Sequence, residues 1–159
     1  MKFSVQEEYG LRFLIRFGKN FLEGGGLTIP EISESEAIAQ HSVAKILRVL
    51  RLGGFLTSLR GHTGGYMLAQ DPSNIQIGEV LNLLGGRLYD TNFCQSHTGL
   101  NDYCIHTTEC ATRPVWQLIQ KSIDNVLEEM TLTDLLKPED IIFLKYKPKA
   151  ENSTKVKVV

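Results

Sequence analysis

Three kinds of feature are missing from this sequence. No apolar run approaches the roughly 18 residues of a transmembrane helix, and the first residues carry no signal-peptide core. We therefore expect a cytoplasmic protein without membrane contact. An excess of positive charge is also missing, because the formal net charge is −1. Any affinity for nucleic acid must then come from cations that are grouped locally.

Motifs of common enzyme classes are absent as well. The chain contains no glycine-rich phosphate loop, no Gly-x-Ser-x-Gly elbow and no His-Glu-x-x-His pair. Cys104 and His106 could form a nucleophile and base, but only their proximity along the chain supports that pairing. We predict that the protein is not an enzyme.

Positive charge is concentrated in one stretch. Residues 45–60 contain four cations and no acid. Helical periodicity predicts helices over 5–17, from a cap at Thr28 through about 37, and over 41–52. The third helix buries one apolar face and turns its cations to solvent. A charge pattern of this kind is also typical of a plain solvated helix face.

Two short strands, over 55–59 and 66–69, follow the third helix and are joined by a glycine-rich tip. Three helices and then a hairpin is the order of a winged helix-turn-helix, so the predicted fold is mainly α with a small two-stranded wing. Such a fold places its third helix in the major groove of DNA and its wing beside it. The candidate DNA contacts are His41, Ser42, Lys45, Arg48, Arg51, Arg60, Gly61, His62 and Thr63.

All three cysteines lie in an irregular segment between predicted helices over 75–84 and 114–130. Thiolates suit zinc, copper(I) or iron–sulfur clusters. Zinc sites usually pair cysteines two to four residues apart, whereas Cys94, Cys104 and Cys110 are separated by nine and five residues. The spacing favours a cluster wrapped by a loop, and the alternative is three unrelated free thiols.

Several runs resemble the IscR/NsrR/CymR family of bacterial winged-helix regulators over about residues 1–137. They are MKFS (1–4), YGLR (9–12), LRLGGFL (50–56), SLRG (58–61), GGYMLA (64–69), IGEV (77–80) and TLTDL (131–135). The resemblance implies a homodimer in which the long helix crosses its partner, bound to a palindromic operator in double-stranded DNA. Ala44 stands where some members have a base-reading glutamate, so their target sequence does not carry over.

The resemblance also implies an iron–sulfur cluster on Cys94, Cys104 and Cys110, with 2Fe–2S favoured over 4Fe–4S. The first cysteine gap is longer than is common in the family, and Arg113 stands where some members have a ligating histidine. Glu8 matches the position of an acidic ligand donated by the partner subunit, and His97 and His106 are alternatives. Such a cluster would sense redox state, nitric oxide or iron–sulfur status. A cluster-free regulator that responds to thiol oxidation or to a partner protein is the alternative, and a pure dimerisation scaffold is a more distant one.

We accordingly divide the chain into four regions. A winged helix-turn-helix region covers 1–86, a cysteine-bearing cluster loop covers 87–112, and a dimerisation helix with a short helix covers 113–137. A polar tail over 138–159 is expected to be disordered.

Overall fold

The computed structural model describes residues 3–21, 23–59 and 64–147. This part of the chain is mainly helical, with one two-stranded antiparallel sheet, and confirms the predicted fold class. Its helices are α1 (Val5–Phe21), α2 (Ile29–Glu36), α3 (Gln40–Leu52), α4 (Ile77–Gly85), α5 (Arg113–Leu127), α6 (Leu132–Leu135) and α7 (Glu139–Tyr146). Its strands are β1 (Leu56–Ser58) and β2 (Tyr66–Leu68), and 3-10 turns lie at Pro72–Asn74 and Gln95–His97.

The first two helices begin at the caps that the sequence predicts. At α1 the Glu7 N–H donates to the Ser4 hydroxyl over 3.2 Å, and the Ser4 N–H donates to the Glu7 carboxylate over 2.6 Å. Thr28 and Glu31 form the same reciprocal box at α2. Each box satisfies backbone N–H groups that a helix start otherwise leaves without partners.

Helices α1, α2, α3 and α4, the hairpin and α6 share one hydrophobic core. Helices α1, α3 and α4 each contribute residues three or four apart, so that one face is buried. Helix α4 packs close to α1 at Gly10, since glycine has no Cβ. A Cβ there would lie only 2.4 Å from the Leu84 side chain. The fully buried large side chains are Phe13, Phe17, Leu14, Ile32, Leu47, Leu50, Ile75, Ile77, Leu132, Val43 and Val80.

The hairpin extends the core as a small sheet. Leu56 pairs with Leu68, and Ser58 pairs with Tyr66. Tyr66 also exchanges two backbone hydrogen bonds with Leu27, of 2.8 and 2.9 Å, so the segment before α2 lies on the other edge of β2. Gly65 has a φ of +137°, and a Cβ there would lie 3.1 Å from the Leu27 carbonyl oxygen. Glycine is therefore required where the wing meets the helical part of the domain.

The end of the chain differs from the prediction. A disordered tail was expected from residue 138, but α7 covers Glu139–Tyr146, so the prediction is wrong for that stretch. Glu139 and Asp140 stand in its first turn, where negative charge favours a helix. The Tyr146 hydroxyl donates to Asp134 of α6 over 2.7 Å and fastens the far end of the helix. Residues 148–159 lie outside the described part of the chain, and their predicted disorder stays a prediction.

Candidate nucleic-acid interface and cysteine loop

Helix α3 presents the predicted cations to solvent. Its apolar residues Val43, Ile46, Leu47 and Leu50 are buried and fix the helix against the core. On the other side His41, Lys45, Arg48 and Arg51 are exposed and Ser42 is half-buried. No ion pair involves these cations within the described residues. Their charge is thus available to a polyanion.

The turn between α2 and α3 is tight and strained. Ala37 has φ 54° and ψ 42°, a left-handed conformation that residues with a Cβ rarely adopt. Its N–H donates to carbonyls of Glu34 and Ser33, and the Ser33 hydroxyl donates to the Ile38 carbonyl over 2.6 Å. Ala39, the N-cap of α3, offers no side-chain hydrogen bond.

Glu36, the last residue of α2, forms ion pairs with two arginines of α1. Arg12 and Arg16 each approach one of its carboxylate oxygens at 2.7 Å, and only 10% of the Glu36 side chain is exposed. Burial raises the pKa of Glu36, but hydrogen bonds from Arg16 and Arg12 outweigh it and hold the pKa below its usual value. We call these three residues the Glu36 clamp. These ion pairs were not predicted, although the i, i+4 spacing of the arginines places both on one helix face.

The wing is described only in part. Its two strands lie beside α3 and belong to the same core. The tip residues Arg60, Gly61, His62 and Thr63 lie outside the described part of the chain, so their predicted DNA contacts remain predictions.

The cysteine loop, residues 87–112, is fastened to α5 near both of its ends. At the first end Arg87 pairs with Asp124, and the Tyr89 N–H donates to the buried Gln120 side chain over 3.1 Å. At the second end the Arg113 guanidinium donates to the Thr107 carbonyl over 3.0 Å. The loop and the long helix therefore form one unit.

A row of aromatic rings, one pair stacked and two tilted, supports the first half of the loop. Phe93 lies between Tyr89 and His97, with ring centroids 5.2 and 4.3 Å away, and reaches Trp116 of α5 at 6.3 Å. Nδ1 of His97 is 2.7 Å from the Phe93 carbonyl oxygen. These contacts link the segment around Cys94, which precedes the 3-10 turn, to α5.

The three cysteines are free thiols, each half-buried. Hydrogen bonds with the Thr112 hydroxyl and the Arg113 N–H lower the pKa of Cys110. Among the described residues of a single chain, no three Cys, His, Asp or Glu side chains are grouped closely enough to hold a metal ion. Glu8 is exposed on α1, and His106 is exposed in the loop.

Helix α5 has an apolar face that no other described residue of the chain covers. Of its fifteen residues only Gln120 is buried. Val115, Trp116, Leu118 and Val126 are 50, 41, 65 and 46% exposed. Exposed apolar area of this extent marks an interaction surface. No helix in the described ranges is both long and apolar enough to span a membrane.

A core-anchored helix with a cationic outer face, beside a two-stranded wing, defines a winged-helix DNA-binding protein. The chain belongs to the Rrf2 family, whose model, described as "Iron-dependent Transcriptional regulator", matches residues 3–138. It is a DNA-binding transcription regulator, and the predictions of family, DNA binding and absence of enzyme activity are confirmed.

The chain is similar to relatives of two types. It is 28% identical to the HTH-type transcriptional regulator CymR of Bacillus subtilis over 85% of this chain and 89% of that protein. It is 27% identical to IscR of Klebsiella pneumoniae, over 89% and 83%. The solved structure of CymR, titled the global cysteine regulator of B. subtilis, matches with a TM-score of 0.68 over 86% of this chain and 96% of that one. The structure of T. potens IscR matches with a TM-score of 0.65 and 28% identity, over 86% of each chain.

Proposed function

We propose that this regulator is a homodimer that binds a palindromic operator, and that an iron–sulfur cluster on the cysteine loop switches its operator affinity. One observation carries the proposal. The loop that holds every cysteine is fastened to α5, the helix whose apolar face is left uncovered by residues 3–21, 23–59 and 64–147. A change at the loop therefore acts on the element that would join two winged helix-turn-helix regions. We call each of these regions, residues 1–86, a DNA-binding head.

The exposed face of α5 supports the dimer. Burying side chains such as Trp116 and Leu118 against a second copy removes apolar area from water at roughly 25 cal/mol per Å². A two-fold axis through α5 would give two copies of α3 that face the same side of a duplex. Paired recognition helices need half-sites about one helical turn apart, which is why a palindromic target is expected.

The thiols of the loop suit an iron–sulfur cluster, although the described residues of one chain do not bring three metal ligands together. Three reduced thiols supply soft ligands, and their half-buried state leaves the sulfur atoms reachable. The described part of one chain has no preformed group of three donors, so assembly would draw the loop together. Glu8 of the partner subunit is the proposed fourth ligand, with His97 and His106 as the alternatives. When bound, the cluster would supply a redox-sensitive and displaceable link between these groups.

The residues of the chain transmit the change. Gln120 and Asp124 hold the start of the loop to α5, and Arg113 holds its end. A loop contracted around ligands pulls on these bonds and shifts α5 relative to its partner. DNA affinity depends steeply on the spacing of the two α3 helices. A few kcal/mol of difference between the two states is enough to change operator occupancy.

Anaerobic reconstitution with iron and sulfide tests the cluster directly. We expect visible absorption, stoichiometric iron and sulfide per dimer, and loss of all three in a variant with Cys94, Cys104 and Cys110 changed to serine. Glu8→Gln, His97→Ala and His106→Ala, compared side by side, identify the fourth ligand. Exposed Glu34→Gln serves as the control for Glu8. A colourless wild-type protein without bound iron would refute the cluster.

A cluster-free regulator is the second candidate. The similarity to CymR favours it, as does the lack of a preformed metal-binding group in the described part of one chain. In this case oxidation of the thiols would change operator affinity without iron. The expected signature is iron-free protein whose gel-shift midpoint moves with peroxide and returns with dithiothreitol. Operator fragments for both tests come from selection of genomic DNA by the anaerobic protein.

A further inference from the structure

Of the four helices α1, α2, α3 and α4, helix α2 contributes the fewest buried side chains to the core. Its eight residues contribute one fully buried side chain, Ile32, to the core. Helix α3, in contrast, buries Val43, Ile46, Leu47 and Leu50. Ile29, at the start of the helix, adds a half-buried contact with the core, so both apolar contacts lie in the first half of α2. A second contact at its far end is needed to fix its direction.

The Glu36 clamp supplies that contact. Glu36 is the last residue of α2, and Arg12 and Arg16 bind its two carboxylate oxygens from successive turns of α1. The Arg12 guanidinium also lies 5.7 Å from the centroid of the Tyr9 ring, which restrains its position on α1. Charge-assisted hydrogen bonds of this kind are directional as well as strong.

Immediately after Glu36 the chain enters the strained turn that leads to α3. A left-handed Ala37 persists only when its surroundings hold the backbone on both sides. The Ser33 and Ile38 hydrogen bonds hold the turn itself, and the Glu36 clamp holds the helix that enters it. Three charged residues outside α3 thus hold the helix that leads into it.

We propose that Arg12, Arg16 and Glu36 are positioning residues for DNA recognition, because their ion pairs fix the angle between α2 and α3. The preference of the protein for its operator over other DNA then depends on the clamp. The proposal rests on the DNA-binding function of the family and does not require the iron–sulfur cluster.

The direction in which Glu36→Gln changes operator affinity distinguishes a positioning role from a simple effect of charge on DNA binding. Removing an acid from a DNA-binding protein reduces repulsion of phosphate and should tighten binding to every duplex. Loss of positioning instead weakens operator binding selectively. We expect Glu36→Gln to lower the ratio of operator to non-specific affinity by about fivefold or more. Glu34→Gln, an exposed acid of the same helix, changes the charge equally and should keep the ratio.

Two arginine variants keep the test decisive should Glu36→Gln fold poorly. Arg12→Lys and Arg16→Lys retain the charge but lose the planar guanidinium, and we expect each to lower the same ratio. Fluorescence anisotropy with the selected operator and a scrambled duplex, at several salt concentrations, measures it. Arg12→Gln should leave the salt slope unchanged. The proposal is overturned if both lysine variants keep the wild-type ratio, or if Arg12→Gln lowers the slope by about 1, as loss of a phosphate contact would.

Discussion

Replacing Ala37 by glycine should stabilise the protein, although the same replacement destabilises most helical proteins. The left-handed conformation costs a residue with a Cβ roughly 1–2 kcal/mol. Glycine removes that cost but gives the unfolded chain more freedom, which costs about 0.4–1 kcal/mol. The Ala37 methyl is exposed, so little apolar burial is lost. We expect a net gain of about 0.5–1 kcal/mol in the free energy of unfolding.

Urea unfolding followed by circular dichroism measures this gain. Wild type and variant must be compared at one protein concentration, because the stability of an associating protein depends on it. Ala44→Gly is the matched control: it makes the same chemical change inside α3 and should destabilise by about 1 kcal/mol. If Ala37→Gly destabilises as much as Ala44→Gly, the strain assigned to this turn is wrong.

Three further outcomes are expected. Asp134→Asn should destabilise by about 2 kcal/mol in urea unfolding, because Asp134 is buried and accepts hydrogen bonds from Lys137, Lys145 and Tyr146. Burial raises the pKa of Asp134, but these bonds outweigh it and hold the pKa well below its usual range. Its stabilisation is thus complete above the unfolded pKa of about 4 and is lost as the pH falls below it, so a wild-type minus variant difference that grows on acidification would contradict the assignment. Ala39→Ser should add about 1 kcal/mol by capping α3, measured the same way, and no gain would mean that the cap site is already satisfied by other groups. Arg48→Gln should lower the salt slope of DNA binding by about 1 in gel-shift titrations, whereas Lys147→Gln, at the far end of α7, should not, and equal slopes for both would exclude Arg48 from phosphate contact.

Much of the DNA-binding head could be predicted because local rules agree with one another there. The caps at Ser4 and Thr28 and the periodic apolar face of α3 all act within a few residues. The hairpin follows from glycines beside short apolar runs. Each of these features is set by neighbours in sequence, and the structure reproduces them with shifts of a few residues at the helix ends.

The features that escaped prediction depend on distant residues. The Glu36 clamp joins positions twenty or more residues apart, and the shared helix face of the two arginines does not indicate which acid they bind. Helix α7 was missed because its polar and lysine-rich neighbours dominate the composition, while its stability comes from tertiary hydrogen bonds to Asp134. The hydrogen bond by which Gln120 anchors the loop could not be predicted either, since a glutamine in an amphipathic helix is ordinarily solvated.

The two fastenings of the cysteine loop have a consequence for how such a regulator can diversify. Residues between Tyr89 and Thr107 can gain or lose length while the bonds to Gln120 and Arg113 keep both ends of the loop joined to α5. If this segment senses a signal as proposed, insertions in it can change that signal without any change in the residues of α3 that face DNA.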